Sequence, residues 1–158
     1  MAQTLEDGTP IDGYLVGIGE NLPDEDTLLA AFATLENVEP VITMNEACMY
    51  GTGTILQFVN TSTGEIAATY YLVVVGDVDG DSVVQLSDEQ PIVDNCNMVT
   101  EWEWEDGMGY MLAAADIDNS GSVDLGDTQL LYDAANTAGY INQEVSPEWG
   151  TSSYVSLF

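Results

Sequence analysis

"GDVDGDSVVQLSDEQ", residues 76–90, decides how the latter half of this chain folds. Asp77, Asp79, Asp81 and Asp88 fall within a dozen positions, and no lysine, arginine or histidine stands anywhere in the sequence to balance them. Carboxylates crowded into one loop repel each other, so such a loop needs a counter-charge. Either the stretch is a solvated acidic turn, or a cation from outside the chain sits in it.

A second copy settles which. "DIDNSGSVDLGDTQLLYDAAN" begins at Asp116, 39 residues after Asp77. Aligned at those two aspartates, Asp79 matches Asp118, Asp88 matches Asp127, Gln90 matches Gln129, Asp94 matches Asp133 and Asn97 matches Asn136, which reads as internal duplication. Each copy has the spacing of a twelve-residue calcium loop followed by a helix. In the first loop Asp77, Asp79 and Asp81 take positions 1, 3 and 5, Val83 offers its carbonyl at 7, Gln85 stands at 9 and Asp88 closes the site at 12. In the second loop the corresponding residues are Asp116, Asp118, Ser120, Ser122 through its carbonyl, Asp124 and Asp127. Calcium takes roughly six to eight oxygen ligands, and alternate residues of a curled loop turn theirs inward. Two Ca2+ ions are therefore expected.

The loops carry further expectations. Ser82 stands at position 6, where glycine is usual, and so has to accept a strained backbone, which is expected to weaken the first site. Val84 and Val123, both at position 8, are expected to pair in a short β-bridge that couples the loops. Ser87 with Gln90 reads as a capping box for the first helix, and Pro91 is near enough to its start to be tolerated. Leu130, Leu131 and Ala134 form the apolar stripe of the second helix, which Gly139 should stop.

Upstream of the repeats the texture is different. "IDGYLVGI" (11–18), "VEPVITM" (38–44), "GTILQFVN" (53–60) and "EIAATYYLVVV" (65–75) are rich in β-branched and aromatic residues and read as strands. "NTSTG" (60–64) joins the last two as a hairpin turn. Within it, Asn60-Thr61-Ser62 is also a glycosylation sequon, on a turn either way. Leu28, Leu29, Phe32 and Leu35 fall at helical spacing behind an acidic start, which predicts a helix over 25–35. The fold class expected is α+β: a small mixed β-module with one helix over 1–75, then an α-helical pair of calcium loop–helix repeats over 76–142. The tail 143–158 is a strand or coil that packs on its own module or on a neighbour's.

The chain has 158 residues, of which 46% are hydrophobic, enough for a real core despite the charge. Its formal charge is −28. Nucleic acid and anionic membranes are thereby excluded as electrostatic partners, as is chemistry that needs histidine, lysine or arginine. Two divalent ions would leave about −24, so ion binding explains the clusters but not the total; adaptation to high salt or a basic partner are the other ways to offset it. No apolar run approaches the roughly 20 residues of a membrane span. Cys48 and Cys96 form one disulfide or stay as two buried thiols.

"GDVDGDSVVQLSD" and "ADIDNSGSVDLGD", with Asp in place of Glu at position 12 and a helix after each loop, resemble a dockerin, the calcium-binding docking module of cellulosome-type assemblies. Residues 13–75 are similar to the small X-type β-modules found upstream of dockerin repeats. The resemblance implies a non-catalytic extracellular or cell-surface protein whose folding requires calcium and which binds a cohesin-like receptor through its helix faces. Val93-Asp94 and Tyr132-Asp133 stand where many dockerins carry basic residues, which points to a different receptor. The competing reading is a subunit that joins copies of itself into a calcium-stabilised surface layer or fibre, a homo-polymer built through the β-prone tail "EVSPEWGTSSYVSLF". Trp102, Trp104 and Trp149 are contact anchors or core cover. An enzyme is not expected, because the acids sit at ligand spacing rather than as a catalytic pair.

Overall fold

Val38–Thr43 (β2), Ile55–Asn60 (β3) and Ile66–Leu72 (β4) form an antiparallel meander. The computed structural model of the chain describes residues 5, 7–16, 24–30, 36–45, 49–99, 102, 109–136, 141 and 153–156. The β3–β4 turn is built by Asn60, whose side-chain oxygen accepts the N–H groups of Ser62 and Thr63 at 2.9 and 3.1 Å. Gly64 completes it at φ +74°, a conformation that favours glycine. Register slips by one residue between Phe58 and Val59, leaving Ala67 extra in β4. Pro40 is tolerated because β2 is an edge strand.

Beyond β4 the sheet turns parallel. β1 (Gly13–Val16) lies beside β4, Tyr14 opposite Tyr71, and β5 (Ser153–Ser156) lies parallel to β1 on its other side. The order is β2-β3-β4-β1-β5. All four residues of β1 are buried, as a strand with two neighbours and both faces covered must be.

Side-chain alternation sends the two faces to different cores. Leu15, Leu56, Leu72 and Val74 meet Leu28 of α1 (Glu25–Ala30) on one face. Tyr14, Val16 and Val73 meet Ala113 and Ala114 on the other. Those alanines belong to a helix, Gly109–Ala115, which is α3 in chain order. Tyr71 packs between Tyr14 and Tyr110 there, with ring centroids 6.2 and 4.6 Å away. A third cluster lies under the repeats: Val75, Val78, Ala115 and Ile117 with Ile92 of α2 (Glu89–Cys96), Leu131 of α4 (Leu125–Ala135) and Ile141.

The mixed α+β class is as expected, and so are β1 to β4 and the hairpin. The helix over 25–35 is seen as Glu25–Ala30, the remainder lying outside the described residues. α3 was not expected: five of its seven residues are buried, so it has no polar face to give an amphipathic period. It leads straight into the second loop, so that loop lies between two helices, whereas the first follows the sheet. Segments on either side of residue 75 are packed together through α3, and β5 returns the tail to the chain's own sheet. Cys96 is a free thiol whose S–H reaches the Val123 carbonyl at 3.9 Å; Cys48, Trp104, Trp149 and Gly139 lie outside the described residues. Trp102 packs against the third cluster. No helix among the described residues is long and apolar enough to cross a membrane.

Candidate metal centre

β4 runs on through buried Val73, Val74 and Val75 into Gly76, at φ +94°. A Cβ there would lie 2.7 Å from Ile141 Cδ1 and 3.0 Å from Val84 Cγ1, so only glycine lets the chain turn so close to the core. The turn delivers Asp77 into the interior with no exposed surface. One of its oxygens, Oδ2, accepts the N–H groups of Thr52 at 2.9 Å and Ser82 at 3.1 Å. The other, Oδ1, is buried with no hydrogen-bond partner. Burial raises the Asp77 pKa to about 6, against the two N–H groups and with the charges of Asp79 and Asp81 adding to the rise.

The rest of the first loop curls by short-range bonds. Asp79 Oδ1 accepts from the Asp81 N–H at 3.1 Å, and Asp81 Oδ1 from the Val83 N–H at 2.8 Å. The Gln85 amide donates to Asp81 Oδ2 at 2.5 Å. Carboxylate oxygens of Asp77, Asp79 and Asp81 thereby come within 4.8 Å of one another. Asp88 is fully buried and clasps the loop: Oδ1 accepts from Val78 and Asp79 N–H at 2.7 and 2.9 Å, and Oδ2 from Gln85 N–H at 2.9 Å. Burial pushes its pKa to about 7, against those N–H groups and with the nearby charges of Asp79 and Asp77 adding to the rise.

The second loop repeats the frame 39 residues on. Asp127 Oδ1 accepts from Ile117 and Asp118 N–H at 2.8 and 3.3 Å, and Oδ2 from Asp124 N–H at 2.9 Å. Asp116 accepts from Gly121 N–H at 2.9 Å as Asp77 does from Ser82, and from Ser120 N–H at 2.9 Å. Ser120 Oγ donates to the Ser122 carbonyl at 3.2 Å. Gathered here within 4.8 Å are oxygens of Asp116, Asp118 and Asp127. Burial raises the Asp127 pKa, against its three N–H donors. Two acidic triads, each able to hold a metal ion, thus sit at the heads of α2 and α4.

The twelve residues singled out by spacing fall in these two loops, with a division of labour that spacing did not show. Asp77, Asp79, Asp81, Asp116, Asp118 and Asp127 converge. Asp88 and Gln85 shape the first loop, and Asp124 caps α4 by accepting from Gly126 N–H at 2.7 Å. The capping box is therefore Asp124 with Asp127, and its reaching-back half recurs in the Gln85–Asp88 bond; the Ser87–Gln90 box is displaced because the helix is preceded by a 3-10 turn over Leu86–Asp88. Gln90 and Gln129 instead bind Asp94 and Asp133 one turn on, at 2.7 and 3.1 Å. Of the two residues expected to act through carbonyls, Val83 donates its N–H to Asp81 Oδ1, and the carbonyl of Ser122 accepts from Ser120 Oγ. Val84 and Val123 lie in no strand or bridge, and both pack against the third cluster.

Backbone signs repeat as well. Positions 4 and 6 are left-handed in both loops: Gly80 at φ +79° and Ser82 at +72°, then Asn119 at +56° and Gly121 at +88°. Each loop has glycine at one of the two, and the choice is reversed. A Cβ on Gly80 would lie 2.6 Å from Asn45 Nδ2 and 2.9 Å from the Thr52 carbonyl, which dictates glycine there. Asn45 and Thr52, between β2 and β3, touch the first loop without any signal in the sequence that joins them to it. Comparison of the chain with protein-family models, with curated proteins and with solved structures finds no match.

Proposed function

We propose that this chain is a non-catalytic, dockerin-like assembly module that binds two Ca2+ ions and docks, outside the cell or at its surface, onto a cohesin-like or other protein receptor. The observation that carries the reading is the duplicated hydrogen-bond frame around two carboxylate triads, one of them with a buried aspartate oxygen that has no hydrogen-bond partner among the described residues. An all-oxygen donor set of carboxylates, hydroxyls and backbone carbonyls suits a hard divalent ion, and an irregular loop suits calcium better than magnesium's strict octahedron. When bound, the ion supplies positive charge to a site that has no cationic side chain.

Docking is favoured by apolar side chains left in water on the repeats. Leu86 and Leu125, at equivalent places 39 residues apart, are 49% and 62% exposed, and Leu130, Tyr132, Met98 and Val99 of the same repeats are exposed too. Exposed apolar side chains on a chain of formal charge −28 suit a protein partner with basic groups. Self-assembly into a layer or fibre drew on the tail, and β5 is used within the chain's own sheet.

Calorimetric titration of the ion-free chain tests the reading. Two Ca2+ per chain are expected, with one lost in Asp77→Asn and one in Asp116→Asn. A chain that takes up no calcium at millimolar concentration ends it. Sedimentation with and without calcium separates the partner classes: a monomer in both fits a separate receptor, and growth with calcium fits self-assembly.

A further inference from the structure

We infer that the first ion site extends beyond its loop, with Asn45 and the Gly51–Thr52 turn as positioning residues that tie occupancy of that site to the stability of the sheet. The inference deepens the calcium reading and rests on it.

Asn45 follows β2 directly. Its Nδ2 donates to the Thr52 carbonyl at 2.8 Å and to the Gly80 carbonyl at 2.7 Å, while Oδ1 accepts the Met49 N–H at 3.0 Å. Both amide hydrogens and the oxygen are used, so the network itself fixes which way the amide points. One hydrogen holds the β2–β3 connection and the other holds position 4 of the metal loop. Thr52 completes the join. Its N–H donates to Asp77 Oδ2, and its hydroxyl both donates to the Val74 carbonyl at 3.1 Å and accepts the Val74 N–H at 3.0 Å. Gly51 lets the two backbones touch, since a Cβ there would lie 2.6 Å from both the Gly80 carbonyl and the Ser82 nitrogen and would collide with Asp77 Oδ2.

These contacts fix the Asp77 carboxylate by Oδ2 and leave Oδ1 as the buried oxygen without a partner. An outer group that orients a ligand in this way typically matters by about 10- to 100-fold in ion affinity. At the tip of the second loop the surroundings differ: a Cβ on Gly121 would meet nothing within 4 Å, where one on Gly80 would meet Asn45 and Thr52, and Asp116 accepts from Ser120 and Gly121 of its own loop. Because coupling is reciprocal, an ion that needs the brace must also stabilise it. The turn it stabilises is bonded to β4 through Gly53 N–H to the Leu72 carbonyl and Leu72 N–H to the Thr54 carbonyl, 2.9 and 2.8 Å.

The test uses the full chain with its second loop disabled by Asp116→Asn, leaving one site, and measures calcium affinity with Asn45 intact and with Asn45→Ala. About tenfold weaker binding is expected for Asn45→Ala. In a chain with the first loop disabled by Asp77→Asn, the same substitution should leave the remaining affinity unchanged. A second measurement needs no change at Asn45: in the Asp116→Asn chain, calcium should slow amide exchange at Gly53, Thr54 and Leu72. Equal affinities with and without Asn45, or exchange at those amides indifferent to calcium, would overturn the brace while leaving calcium binding standing. A parent chain that takes no calcium would overturn both.

Discussion

Replacing Asp77 by asparagine should stabilise the ion-free protein and destabilise the calcium-loaded one. The side chain is fully buried, and its pKa is raised from 3.8 to about 6, chiefly by that burial. Two units correspond to about 3 kcal/mol, the cost of holding the charge in the fold rather than in the unfolded chain. The folded value lies above the unfolded one, so this contribution to stability is complete below about pH 4 and is lost as pH rises through 6. Between pH 8 and pH 5 the ion-free chain should regain about 1.4 kcal/mol from this group alone, and Asp88, raised to about 7, works in the same direction. Asparagine keeps an oxygen for the Thr52 and Ser82 N–H groups and carries no charge. At pH 8 without calcium, Asp77→Asn should therefore gain up to about 3 kcal/mol in urea unfolding followed by tryptophan fluorescence, and about half of that gain should vanish at pH 5. With calcium at a thousand times its dissociation constant the wild type gains about 4.1 kcal/mol per site, one site of which the variant forfeits, so the sign of the substitution reverses. The comparison cancels the general repulsion among the surface acids, which both chains share. An ion-free variant less stable than wild type at pH 8 would refute the reasoning.

Other substitutions follow from the same loops and from the core beneath them. Ser82→Gly should raise the urea midpoint by an amount equivalent to about 1 kcal/mol, because it removes a side chain from a left-handed residue at φ +72°. Gly80→Ala and Gly121→Ala share that backbone strain, but only the first meets atoms, at 2.6 and 2.9 Å, so thermal melting should show it to be clearly the more damaging. Leu131→Ala empties the buried centre of the α2–α4 cluster and should cost about 2–5 kcal/mol by chemical denaturation.

Much of this architecture was readable because local chemistry and long-range packing agree. The β-branched runs of β2, β3 and β4 are also the half-buried strands, and Asn60 with Gly64 makes the turn that its residue types suggest. The duplicated aspartates converge because their spacing is a property of the loop itself. Ser82 adopts the left-handed backbone its position requires. What stayed hidden depends on partners far away in sequence. α3 lacks a polar face because the sheet covers one side and the repeats the other. The parallel pairing of β1 between β4 and β5 joins segments whose strands give no register. Asn45 reaches Gly80 across 35 residues with nothing in either neighbourhood to announce it. Gln85, Asp88 and Asp124 were legible as ligand positions, and that reading hid their second use as caps and clasps.

The absence of lysine, arginine and histidine ties these findings together. A buried carboxylate in most proteins can meet a cation of the same chain, and here no side chain can serve. Asp77, Asp88, Asp116 and Asp127 are all buried, and the groups seen holding them are backbone N–H donors and one serine hydroxyl. Neutral donors stabilise an anion but do not neutralise it, which is why burial raises the pKa of Asp77, Asp88 and Asp127 despite two or three such bonds to each. Such a chain has two ways to relieve these sites, to take up protons or to take up a cation from solution. The first is open only in acid. The second fits the geometry, since the acids drawn inward are those the loops bring together, while those left outside, such as Glu25, Asp26 and Glu65, face water, which screens them.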